Sequence, residues 1–179
     1  MTLFIFFCVF ALAVLAVLYL GVHGQQRECP SLDALPRITK PVDLEAFSNL
    51  TNPLEEAYLC ANLPGKVYLE VRRERLFAVL EYLGRARLNA AILLRLGEAA
   101  ESSADKAISE AGQRLVAVAL QLRLYTIIAP CKVYASLLFD GVSLSLLPFE
   151  RRYVALRSSF ETLSRLQTPA QVARLTGAI

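Results

Sequence analysis

Histidine is almost missing from this chain. Of 179 residues only His23 is one, and it borders an oily N-terminal run instead of lying in the body of the protein. A body without histidine lacks the commonest general base near neutral pH and the commonest metal ligand. The glycine motifs are missing too: there is no GxGxxG, no GxxxxGK[ST] and no GxSxG, and Gly65-Lys66 lacks the upstream glycine of a phosphate loop. That removes the dinucleotide turn, the P-loop and the nucleophile elbow. A di-metal helical bundle would use Glu-x-x-His pairs, and none occurs. The expectation is no catalytic, no cofactor-binding and no metal-ligating residue, and no cofactor.

Closely spaced cysteines are absent as well. Cys8, Cys29, Cys60 and Cys131 form no CxxC and no zinc-site spacing. Cys60 and Cys131 stand in apolar stretches, where a reduced cysteine packs as a small hydrophobe. In an exported domain, Cys60–Cys131 would be the pair to bridge.

Lysine is scarce. Only Lys40, Lys66, Lys106 and Lys132 stand among the 19 basic residues, so 15 are arginine. Arginine suits ion-paired helix surfaces and phosphate contact alike, and a GC-rich genome enriches it with no function attached. The net charge is only +3, and its signs alternate along the chain. Residues 1–65 and 98–113 are net acidic, while 66–97 and 114–179 are net basic. Neighbouring helices of opposite sign attract one another, whereas a polyanion-binding tail is an unbroken block. No nucleic acid is expected as a partner.

What is present is a long apolar beginning. Leu3 to Val22 carries no formal charge. At about 1.5 Å per residue, a helix of that length spans roughly 30 Å, the hydrocarbon thickness of a bilayer. A cleaved secretory signal wants a basic n-region, a shorter apolar stretch of about 7–15 residues and small residues at the cut. Here no basic residue precedes the run, and Val22-His23-Gly24 is a poor cleavage site. The run reads as a retained signal anchor at 1–23. Flanking basic residues come only after it, at Arg27, Arg37 and Lys40. That places the N-terminus outside and the remainder in the cytoplasm. Residues 24–41, with Gly, Pro and mixed charge, read as a juxtamembrane tether.

Residues 42–179 read as helix throughout. After the short amphipathic piece VDLEAFSNL, Asn52 and Pro53 suit a helix start, with Glu55 in a capping-box-like position, and Pro64-Gly65 ends that helix. From about Lys66 to Gly97, Leu69, Leu76, Leu80, Leu83, Ala90 and Leu94 step by helical spacing, with Arg87 on the same stripe. GEAAESSADKA reads as the turn, with Ser102 and Asp105 opening the next helix. There Ile108, Ala111, Leu115, Val118, Leu122, Tyr125 and Ala129 form one face, and Pro130 stops or kinks it. A second apolar stripe, Val116, Leu120, Leu124 and Ile127, lies on the other side. A helix apolar on both sides is covered on both sides, by its own bundle, a partner or lipid. Arg123 and Gln121 speak against a membrane span there, since a central arginine costs roughly 2.5–3.5 kcal/mol. CKVYASLLF adds a short helix, Asp140-Gly141 a turn, and Phe149, Tyr153, Leu156, Phe160 and Leu163 mark the last long helix, with Thr168-Pro169 opening a terminal turn.

The fold expectation is all-α: one N-terminal transmembrane helix followed by a compact bundle of four or five helices. The functional expectation is a non-catalytic, single-pass membrane protein whose cytoplasmic helical domain acts as scaffold or adaptor. Its partners would be the membrane and a protein or a second copy, and its candidate contact stripe is Val116, Leu120, Leu124 and Ile127. Two alternatives remain. One is a membrane-surface enzyme acting on a lipid or small molecule through Glu55, Glu56 and Glu70 with nearby arginines, although Glu70 and Glu74 read better as ion-paired surface beside Arg72, Arg73 and Arg75. The other is an exported helical domain freed by signal cleavage, for which Asn49-Leu50-Thr51 would be a glycosylation sequon.

Overall fold

A computed structural model of the protein describes residues 38–138 and 146–176, with side chains through 167. Within these residues the chain is all helix, with five helices and no strand: α1 Leu44–Leu50, α2 Pro53–Asn62, α3 Gly65–Glu101, α4 Lys106–Leu138 and α5 Leu147–Thr176. The expected anchor, and the expected tether up to residue 37, lie outside the described residues, as does the Asp140-Gly141 turn.

Side-chain caps set the short elements. The Asp43 carboxylate accepts from the Ala46 N–H at 3.0 Å and starts α1. The Asn52 side chain accepts from the Leu54 N–H at 2.9 Å, with Pro53 as first helical residue of α2, as the sequence pattern expects. Glu55 does not complete a capping box, because it reaches to Arg75 of α3 instead. The next start differs from expectation. Ser102 closes α3, its hydroxyl donating to the Ala99 carbonyl, and Asp105 is the cap of α4, accepting from the Ala107 N–H at 2.8 Å.

The long helices run further than their sequence signals. α3 has 37 residues, about 55 Å of helix, and continues past Gly97 to Glu101. Gly97 is a packing glycine and not a terminator. A Cβ there would lie 2.8 Å from Val116 Cγ2 and 3.1 Å from the Gly112 carbonyl oxygen. A Cβ on Gly112 would lie 2.8 Å from the Glu101 nitrogen. The two backbones touch at this crossing, which side chains would forbid. α4 in turn passes through Pro130 to Leu138, so the expected stop and separate short helix are one element. Proline removes one backbone donor, and the tertiary packing of Ala129, Val133 and Ser136, all buried, holds the helix across it.

α4 is the central helix. α3 packs antiparallel along it, with Arg72 of α3 bonded to Ser136 near the end of α4 and Gly97 meeting Gly112 near its start. α5 packs antiparallel on another side of α4, with Phe149 near Tyr125 and Arg152 over the Tyr125 ring. α1 wedges between α3 and α5. Phe47 is fully buried, its ring 4.4 Å from Phe149 and edge-on to Tyr82 at 6.1 Å. The expected stripes supply the core: Leu76, Leu83, Ala90 and Leu94 from α3, Ile108, Leu115, Leu122 and Ala129 from α4, Phe149, Leu156 and Leu163 from α5.

One exception follows from where α5 begins. α5 begins opposite Tyr125, about three and a half turns short of the end of α4. Leu69 lies on the uncovered turns of α3 and is exposed. Leu80, Val118 and Tyr125 are half-buried at the edges. Arg87 is also half-buried, so its charge stays at the margin.

One buried polar group orders the start of the domain. Asn89 Oδ1 accepts from the Lys40 N–H at 2.9 Å, and its Nδ2 donates to the Lys40 carbonyl at 2.7 Å and to the Tyr153 hydroxyl at 3.0 Å. One side chain thus fastens the incoming chain to α3 and α5 together.

Candidate functional site

Helical geometry gives α4 two apolar faces, since residues three and four apart stack on one side. The inner face is the core just described. The outer face bears the four candidate residues, which the structure treats unequally. Val116 is half-buried against Gly97 of α3, and Ile127 is half-buried. Leu120 and Leu124 are 44% and 52% exposed. Neither α3 nor α5 covers the centre of this face.

The stripe also extends beyond the four. Ile128, Cys131, Tyr134 and Leu138 are exposed on the same side of the helix. With Ala117, Leu120 and Leu124 they step by three or four residues, and no charge interrupts them. The sequence reading missed this half because it ended the helix at Pro130. Carrying the helical period through the proline would have found it.

Basic residues border the stripe. Arg114 and Lys132 lie exposed along one edge, and half-buried Arg123 lies along the other. The Arg123 Nε is buried and makes no hydrogen bond. Burial holds the Arg123 guanidinium below its ordinary pKa, the charges of Arg87 and Arg95 push it the same way, and Glu98 opposes them. An arginine remains a cation at neutral pH even so. The rim therefore presents fixed positive charge beside bare apolar surface. By length and composition α4 is also the one helix among the described residues apolar enough to cross a membrane.

The carboxylates do not converge. Glu56 pairs with Arg72 at 3.2 Å, and Glu55 with Arg75 at 3.2 Å. Each arginine also serves a helix end. Arg72 Nη2 donates to the Ser136 carbonyl at 2.8 Å in the last turn of α4, and Arg75 Nη2 donates to the Asn49 carbonyl at 2.9 Å at the end of α1. Cations suit these negative helix termini. The Tyr68 hydroxyl donates to Glu56 Oε1 at 2.7 Å. Partial burial, then the hydrogen bond and charge of Glu56, push the Tyr68 phenol up to about 12. Glu70 and Glu74 instead line a shallow opening of about 560 Å³ with Lys66, Leu69, Arg73 and Phe77. All six residues come from α3, so this is one helix's surface and not a cleft between elements. Among the described residues no three His, Cys, Asp or Glu side chains gather as metal ligands would.

Cys60 and Cys131 are both exposed, which corrects the expectation that they pack as core hydrophobes. Cys60 belongs to α2, which buries no residue at all, and Cys131 belongs to the outer stripe. Thr51 of the sequon caps α1, its hydroxyl donating to the Phe47 carbonyl at 3.1 Å.

No protein-family model, no curated protein and no solved structure matches this chain.

Proposed function

We propose that the protein is a non-catalytic, single-pass membrane protein whose helical domain serves as a scaffold, with the outer face of α4 as its contact surface. The uncharged segment Leu3–Val22 is the anchor in this reading, with the N-terminus outside and the domain in the cytoplasm. The observation that carries it is the continuous apolar stripe on α4 from Ala117 to Cys131, exposed at Leu120, Leu124, Ile128 and Cys131. An ordered apolar row with a polar rim is the anatomy of an interaction site, where isolated exposed leucines are not. The basic rim of Arg114 and Arg123 favours a partner helix with acidic flanks over a second copy, which would set like charges against one another. α4 is not read as a span. Its inner face is committed to α3 and α5, and Arg123 would stand in hydrocarbon.

The test is the double substitution Leu120→Glu and Leu124→Glu in the full chain, followed by helicity and by co-purification from detergent extracts. A folded variant that loses its bound proteins supports the reading. Loss of helicity would assign the stripe to the core, and unchanged folding with unchanged binding would remove its role altogether.

A further inference from the structure

We propose that one end of the helical domain, built from α2, the first turns of α3 and the last turns of α4, rests on the surface of a lipid bilayer. The end is defined by the antiparallel pairing that sets Arg72 beside Ser136. Leu54, Tyr58, Val67, Leu69, Tyr134 and Leu138 are all exposed there. Leu54 and Leu138 are bare to 78% and 77%. Between residues 78 and 119, by contrast, no large apolar side chain is exposed, and Leu120, Leu124, Ile128, Leu147 and Val154, exposed along α4 and α5, lie outside this end. The opposite end, around the turn from α3 to α4, instead bears Glu98, Glu101, Asp105 and Glu110 against Lys106 and Arg114.

α2 gives this end its character because it is built inside out. A helix on a soluble domain buries its apolar face and shows its charges. α2 buries no residue, turns Glu55 and Glu56 inward to Arg75 and Arg72, and leaves Leu54 and Tyr58 outward. In water that orientation leaves apolar surface exposed at a cost in free energy. Against lipid the same orientation is favourable, with tyrosines suited to the headgroup level. Lys66, Arg73 and Lys132 are exposed at the border of this end, where their stems can lie along apolar surface while the charges reach phosphate. Glu70 and Glu74, also exposed on α3, partly offset them. The acidic far end is the one an anionic membrane would repel.

The chain outside the described residues is long enough. Residues 23–37 separate the uncharged N-terminal segment from Ile38 and, extended, span up to about 50 Å. Lys40 is fixed beside Asn89, roughly 36 Å along α3 from Gly65. A domain held at that point reaches the membrane with its apolar end. This inference rests on the anchor reading only for where the membrane lies.

The chain has no tryptophan, so a single introduced one reports alone. The full chain is reconstituted into phosphatidylcholine–phosphatidylserine vesicles, with and without bromine on the acyl chains. Four variants carry the reporter: Leu15→Trp in the N-terminal segment, Tyr58→Trp and Leu138→Trp at the apolar end, and Gln113→Trp at the acidic end. The expected result is a blue shift and a loss of emission to bromine at positions 15, 58 and 138, with position 113 unaffected. Quenching at 15 but at neither 58 nor 138 overturns the proposal and leaves the anchor standing. Quenching at 58 and 138 but not at 15 supports it and removes the anchor. Equal quenching at 113 overturns it, since the domain would then have no preferred end. A blue shift at 58 and 138 without quenching assigns the end to a second copy and also overturns it.

Discussion

Asn89 and Lys40 share two hydrogen bonds, the amide of one side chain matched donor and acceptor to the backbone of the other. A buried amide held on both sides is satisfied, and a satisfied polar group fixes one geometry where apolar contact would allow several. Its third bond, to Tyr153, ties that geometry to α5. The domain therefore begins at a defined point about two-thirds of the way along α3, which is what sets the reach of the chain ahead of it.

Removing the Asn89 amide should be costly. Asn89→Ala leaves the Lys40 backbone groups and the Tyr153 hydroxyl without these partners, and a lost buried polar partner costs about 1–3 kcal/mol. We expect a lowered denaturation midpoint and faster amide exchange at residues 40–50 than in the parent. Exchange unchanged in that segment would mean that Phe47 alone holds it.

Gly112 of α4 and Gly84 of α3 give a matched pair of glycine substitutions. Gly112→Ala places a methyl against the backbone of Glu101 and Gly97, which cannot swing aside as a side chain can. The helices must separate, at a cost of about 1–3 kcal/mol. Gly84→Ala meets nothing within 4 Å and should stabilise by about 0.5–1 kcal/mol through helix propensity. Thermal melts of the two variants should therefore move in opposite directions.

The helices themselves mark where the sequence was and was not readable. The stripes of three- and four-residue steps located the core faces of α3, α4 and α5, because burial of apolar surface dominates the choice of face. Asn52-Pro53 located the start of α2 through local chemistry alone. Gly97 and Pro130 misled, since their local meaning is to end helices, while tertiary packing at Val116 and Val133 overrode it. The uneven exposure within the outer stripe depends on the close crossing with α3, which half-buries Val116 against Gly97, a long-range fact that no window of sequence carries. The network of Arg72 and Arg75 was likewise hidden, because its partners at Glu55, Glu56, Asn49 and Ser136 come from three other helices or their ends.

Cysteine chemistry reports on both proposed surfaces. In a Cys8→Ser, Cys29→Ser background, both Cys60 and Cys131 should react with a thiol reagent in the native protein, since both are exposed. A partner seated on the outer face of α4 should slow Cys131 severalfold and leave Cys60 unchanged. Reaction only after denaturation would place both thiols in the core.

The attachment of α2 should loosen in alkali before the rest of the domain does. Tyr68 donates to Glu56, and the phenol is raised from 10.0 to about 12 by burial and by that carboxylate. A phenol whose folded pKa is raised holds its proton in the folded state over an interval where the unfolded chain has lost it. Its stabilising contribution is then complete below pH 10 and declines as pH rises toward 12. Deprotonation would set a phenolate against the Glu56 carboxylate, with Arg72 as their shared counter-ion. With no buried residue, α2 is held by the Tyr68–Glu56 bond and by the Glu55–Arg75 and Glu56–Arg72 pairs, so it should loosen over this interval while α3, α4 and α5 stay packed. Amide exchange at residues 53–62 or proteolysis within α2, followed against pH, measures this directly. Tyr68→Phe should flatten the alkaline dependence at the expense of one hydrogen bond, about 1 kcal/mol at neutral pH. Glu56→Gln should also flatten it, and additionally loosen α2 at every pH by freeing Arg72 of its carboxylate. An alkaline transition that persists unchanged in both variants would assign the effect to groups other than this pair.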